Sequence, residues 1–215
     1  MTNPLPPLGG VAAPPPGQRG LIAAIACVSL FGVAQGMTHP LFGLRLEQQG
    51  WASGMIGLSG AMVALSALTL APLMPRLIRA IGLSAFLALG SVMASALIMS
   101  FPLVENYWAW LGLRYLHGAA ATMLFVGSEI WIVADAETGS RGRVVGLYAT
   151  MLSLGFASGP MILNGVGVDG ATPFLVCGAL SLLCLLPLLT AWGAAPRPHP
   201  DDRATISPWR FFRTD

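Results

Sequence analysis

Long apolar runs, each closed at both ends by charged or turn residues, organise this chain. Uncharged intervals cover Gly20–Leu44, Gln48–Pro75, Ala80–Val104, Val144–Val168 and Gly170–Pro196, while Asn106–Ala134 is apolar apart from Arg114, His117 and Glu129. Crossing a hydrocarbon core takes about 20 residues of helix. The pattern therefore predicts an all-α polytopic membrane protein with six transmembrane helices, at about 20–44, 52–75, 80–104, 107–134, 144–168 and 172–193. Residues 1–19 are expected to be a disordered cytoplasmic tail, 20–194 the transmembrane domain, and 195–215 a cytoplasmic linker or tail. The first apolar run is too long, and the tail before Arg19 too uncharged, for a cleaved signal peptide.

The middle of the chain reads as a helical hairpin: Tyr107–Ala134, a short charged turn Asp135–Arg143, then Val144–Val168. An ionisable side chain in hydrocarbon costs at least ~2.5–3.5 kcal/mol on insertion scales, so such residues face protein or a watery cavity. Arg114 and His117, three residues apart, share one helix face, as do Gln35 and His39, four apart on the first span. The third and sixth spans hold no charged residue. Two triplets emerge, each led by its most polar helix, the pattern of a three-plus-three repeat whose leading helices line a cavity.

Composition supports this reading. Hydrophobic residues make up 55% and charged residues 9% of the chain, against roughly 25% charged in soluble domains. All eleven basic residues are arginines. With the N-terminus inside, Arg19, Arg76, Arg79, Arg141, Arg143, Arg197, Arg203, Arg210 and Arg213 are cytoplasmic and Arg45 alone is external, so both ends are expected in the cytoplasm. No basic face suited to nucleic acid is present. Cys27, Cys177 and Cys184 lie inside apolar spans with neither metal-ligand spacing nor a disulfide framework. No metal, nucleotide or other cofactor is indicated.

The stretch Leu111-Gly112-Leu113-Arg114-Tyr115-Leu116-His117-Gly118-Ala119-Ala120-Ala121 resembles the fourth-helix motif of the major facilitator superfamily (MFS), in its amino-terminal six-helix half. The turn Asp135-Ala136-Glu137-Thr138-Gly139-Ser140-Arg141-Gly142-Arg143 is similar to the family's loop between helices four and five. Gly155-Phe156-Ala157-Ser158-Gly159-Pro160 resembles its fifth-helix antiporter motif, with Leu163-Asn164 where a later glycine pair is expected. Pro72-Leu73-Met74-Pro75-Arg76-Leu77-Ile78-Arg79-Ala80-Ile81-Gly82 is similar to the signature loop between helices two and three. Pro75 replaces its aspartate and Ala71 its first glycine.

The resemblance implies a secondary transporter of a small molecule in the cell membrane, working by alternating access and driven by an ion gradient or the substrate's own. It implies a role for Arg114 in proton or substrate handling. Gln35, His39, Arg114 and His117 are the candidate substrate or proton pathway. His117 is placed to carry a proton or to make an interhelical hydrogen bond; Gln35 suits either substrate binding or a helix link. Arg76, Arg79, Glu129, Asp135 and Arg141 are the candidate cytoplasmic gate, with an ion pair expected between Glu129 and an arginine. Gly155, Gly159 and Pro160 are candidates for close packing or a kink. Family transporters have two such halves, so the expected partner is a second six-helix half, from a longer chain or a second copy. A non-transporting membrane scaffold is the alternative. An intramembrane serine protease built on Ser158 lacks a base, because His39, His117 and His199 all lie off the later spans; the chain is not expected to be an enzyme.

Overall fold

The computed structural model describes residues 16–136 and 141–193. The proline-rich tail, the tip of the charged turn including Glu137, and the C-terminal segment with His199 lie outside the described residues. Eight helices run in order: α1 (Pro16–Gln48), α2 (Ser53–Leu70), α3 (Met74–Ile81), α4 (Leu83–Ser100), α5 (Tyr107–Asp135), α6 (Arg141–Val166), α7 (Thr172–Leu183) and α8 (Leu185–Thr190). No strand occurs among the described residues. Joined end to end where only a short irregularity separates them, they make six stretches long and apolar enough to cross a membrane: Arg19–Gln48, Ser53–Ile81, Leu83–Leu103, Tyr107–Asp135, Arg141–Val166 and Thr172–Thr190.

The interruptions follow local chemistry. Pro72 lies in a 3-10 turn, Ala71–Leu73, that links α2 to α3. Gly82, at φ 83°, ends α3 in a conformation that costs a β-carbon-bearing residue dearly, and its N–H donates to the Ile78 carbonyl. The Asn106 side chain caps α5 by accepting from the N–H groups of Trp108 (2.8 Å) and Ala109 (3.3 Å). Pro187 cannot donate to the carbonyl of Leu183, four residues earlier, and the last span breaks between α7 and α8 at Cys184. Two boundaries differ from the sequence reading. Helix α1 starts at Pro16 and runs on to Gln48, carrying Arg45 and Glu47 on its last turns. Arg76 and Arg79, expected in a loop, ride on helix α3, because Met74 and Ile78 bury one side of that segment.

The packing repeats. Helix α1 packs on α6, on α5 and on the α7–α8 span; α5 packs on α2, on α1 and on α4; α4 packs on α7. Exchanging the first triplet of spans for the second maps this set of neighbours onto itself, as a three-plus-three repeat requires. Two apolar clusters form the core. One holds Phe31, Phe86, Leu124 and Trp131; the other holds Phe42, Phe101, Trp110 and Phe174. Five buried polar residues fall between the two clusters along their helices: Gln35 on α1, Ser95 on α4, Arg114 and His117 on α5, Ser181 on α7. Leu68, Leu103 and Met161 are 77%, 83% and 76% exposed, an apolar surface suited to lipid rather than water.

The α1–α6 contact is the closest in the bundle. Gly155 faces the Ser29 carbonyl, which a methyl group would approach to 2.7 Å, and Gly32 faces the Leu152 carbonyl at 2.9 Å. Gly36 and Gly159 lie against each other's helix backbone, Gly36 on Phe156 and Gly159 on Gly36 and Met37. Two glycine pairs, each spaced by four residues, thus interlock. Pro160 completes the seam. Lacking an N–H, it leaves the Phe156 carbonyl without its helical donor, and that oxygen faces Gly36.

Substituting Gly159→Ala is expected to destabilise the bundle by about 1–3 kcal/mol through overpacking. Gly165→Ala, on the same helix with nothing within 4 Å, does not lower stability. Thermal unfolding of the purified variants in detergent checks the pair; equal midpoints contradict the seam.

Candidate functional site

The site is built where α1, α2 and α5 meet. Its frame is an aromatic cluster: Phe42 of α1 lies 4.4 Å from Phe101, 5.7 Å from Trp110 and 5.9 Å from Phe174, each in an edge-on arrangement. The start of α5 is fastened on both sides, since the Tyr107 hydroxyl donates to the Met55 carbonyl (2.6 Å) and Trp110 Nε1 donates to the Val104 carbonyl (2.6 Å). Two turns along α5 from Tyr107, Arg114 enters this frame. Its Cζ sits 4.1 Å over the centre of the Phe42 ring, and its Nε–H donates to the Ser59 carbonyl at 3.4 Å. A desolvated cation–π contact of this kind contributes about 2 kcal/mol, a fraction of what burying a charge costs.

Arg114, His117 and Gln35 are only 3%, 2% and 4% exposed. The His117 ring lies 6.5 Å from Phe42, so the two polar residues of α5 share the aromatic ring as a neighbour. Gln35 precedes Phe42 by seven residues, two helical turns, and so occupies the same face of α1. His39 lies between them on that face but is exposed, with its ring stacked 6.1 Å from Phe156 of α6. The Ser59 hydroxyl is buried and has no hydrogen-bond partner. Among the described residues no carboxylate comes within 4 Å of Arg114; the ion pair that forms there joins Arg45 to Asp169 at 3.8 Å, with Asp169 almost fully exposed. Exposed pairs contribute little.

Phe42 and Ser59 were missed by the sequence reading. Phe42 carried no signal, being one more phenylalanine in an apolar helix. Ser59 carried none, because its carbonyl rather than its side chain meets the arginine.

The expected cytoplasmic group is looser. Glu129 and Arg141 line one shallow concavity of about 440 Å³ with Ile130, Val133 and Ala134. The expected ion pair of Glu129 with Arg76, Arg79 or Arg141 is not formed within 4 Å among the described residues. Arg141 instead donates to the Val133 carbonyl (3.3 Å), near the C-terminal end of α5 where helix carbonyls lack partners and favour a cation. Asp135 accepts from Trp131 Nε1 at 2.8 Å. Arg76, Arg79 and Glu129 are exposed. Gly155 and Gly159 lie in the α1–α6 seam, and Pro160 follows them. Among the described residues no group of three His, Cys, Asp or Glu is disposed to hold a metal ion.

A multi-pass helical membrane protein with buried polar side chains gathered between its first and fourth spans is the class that this fold and site define. The chain belongs to the Major Facilitator Superfamily, whose family model matches residues 11–215. An uncharacterized MFS-type transporter of Bacillus subtilis (strain 168), YfkF, is 26% identical over 188 residues, 87% of this chain and 48% of the relative. An uncharacterized MFS-type transporter of Yersinia pestis (strain Pestoides F) is 22% identical over 195 residues, 91% of this chain and 50% of the relative. The uncharacterized MFS-type transporter YcaD of Escherichia coli O139:H28 is 22% identical over 171 residues, 80% of this chain and 45% of the relative. The chain spans about half the length of these curated relatives.

Replacing Phe42 with Ala is expected to cost about 3–5 kcal/mol, as for a large buried aromatic, and to shift Trp110 fluorescence to the red as the cluster opens. Phe156→Ala, at a half-buried position, costs less. Thermal unfolding and emission spectra of the two variants test the ranking; a milder loss at Phe42 contradicts the aromatic frame.

Proposed function

We propose that this chain is one six-helix half of a secondary transporter, which moves a small molecule across the cell membrane by alternating access. The observation that carries the reading is the gathering of buried Gln35, Arg114 and His117 between α1 and α5 in a member of this superfamily. A polar group of this kind inside a membrane bundle is a functional expense, tolerated where a guest or an ion passes. His39 stands at the exposed edge of the same face, a port of entry. In this reading His117 and His39 carry protons where the transport is proton-coupled. Glu129 and Arg141, on one concavity, act at the cytoplasmic gate together with Arg76, Arg79 and Asp135. The arginine distribution supports cytoplasmic termini.

A second six-helix half completes the pathway, supplied by a longer chain or by a second copy. The doubled length of the relatives supports this. So does the exposure of α2 and α6, equivalent under the repeat, whose apolar windows are the least buried of the six. Gly54, Gly57 and Gly60 on α2, and Gly142 and Gly146 on α6, have nothing within 4 Å and leave room for the backbone of a partner helix.

The three cysteines of this chain are buried, so once the second half is freed of accessible thiols, a cysteine introduced at the exposed position 39 is the reactive one. In the full-length protein, His39→Cys is expected to react with a membrane-impermeant maleimide added to right-side-out vesicles and, separately, to inside-out vesicles. Labelling from one side only overturns alternating access and leaves the scaffold reading.

A further inference from the structure

Resting on the transporter reading, we propose that the guest at this site is a small anion, a carboxylate or phosphate that supplies the counter-charge Arg114 lacks. The guanidinium is buried, yet its protein partners are one aromatic face and one long bond to a backbone carbonyl. A buried arginine normally meets a carboxylate or several carbonyls, because an unpaired charge in low dielectric is costly. Nothing of that kind is present among the described residues. Glu129, the carboxylate farther along the same helix, lies fifteen residues away, about 22 Å along the axis. Glu47 is exposed at the end of α1.

The geometry specifies more than charge. Phe42 covers one face of the guanidinium and Ser59 takes Nε, so the Nη groups are the donors left over. A guanidinium edge offers paired N–H groups that match the two oxygens of a carboxylate or phosphate. The residue that receives Nε also presents the orphan of the site: the Ser59 hydroxyl, buried and unpartnered. An unpartnered hydroxyl on the residue that receives the arginine adds a second group in need of an acceptor. Gln35 and His117, buried with no hydrogen bond to the rest of the described chain, supply further polar contacts. A cationic guest meets repulsion here and an uncharged one leaves Arg114 uncompensated. The rival source of negative charge is an acidic side chain of the second six-helix half.

Equilibrium dialysis on the purified full-length protein separates these cases, using radiolabelled acetate, benzoate, citrate and inorganic phosphate, with benzamide and benzylammonium as uncharged and cationic analogues of benzoate. At least one anion is expected to bind saturably, at least tenfold tighter than benzamide or benzylammonium. Arg114→Gln weakens it at least tenfold and Arg114→Lys less. Ser59→Asp, which places a carboxylate beside the arginine, also removes anion binding while thermal unfolding confirms a folded protein. Binding by none of the anions, equal binding of benzamide or benzylammonium, or anion binding that survives Arg114→Gln in a folded protein each overturns the proposal. Should that happen while position 39 still labels from both sides, the anion class falls and the transporter stands. Loss of two-sided labelling removes both.

Discussion

A guanidinium buried among helices constrains the end of the bundle at which α5 begins. An aromatic face and a backbone carbonyl are brought to Arg114 from two other helices. Phe42 in turn is held by residues from the end of α4, from α5 and from α7. The position of one charge therefore depends on most of the spans at once. A shift of any of them that moves Phe42 or Ser59 changes the environment of the charge.

The opposite pole of the design is close approach without polarity. Along α1 and α6, glycines at four-residue spacing remove the side chains that would hold two backbones apart. Between α4 and α7, the Ser91 hydroxyl donates to the Ser181 carbonyl. In lipid there is no hydrophobic force between helices, so small residues and such hydrogen bonds carry association. These contacts put α1 and α5 at the centre and leave α2 and α6 on the outside, the same arrangement in both triplets. Gln35, Ser95, Arg114, His117 and Ser181 occupy the seam between the two apolar clusters, on helices whose neighbours are already fixed.

Much of this was legible along the chain. A polar residue inside an apolar run is conspicuous, so Arg114, His117 and Gln35 announced themselves by cost alone, and the spans followed from length. Phe42 was invisible for the opposite reason: one more phenylalanine in an apolar helix carries no mark until its neighbours are known. The same holds for Gly32 and Gly36, which are ordinary in a glycine-rich chain and become meaningful only opposite Gly155 and Gly159. The expected ion pair of Glu129 illustrates the converse error. Complementary charges near one membrane face invite pairing on paper, whereas in the fold Arg141 reaches helix-end carbonyls.

By itself the sequence determined that the chain is helical and crosses a membrane six times, since backbone polar groups in hydrocarbon have to be satisfied within each segment. It also determined which side chains are too polar to face lipid. Only the tertiary structure decided which helix meets which and whose carbonyl receives the arginine. Those choices depend on pairs of surfaces that lie far apart along the chain, and periodicity within one helix contains no information about the face it will meet.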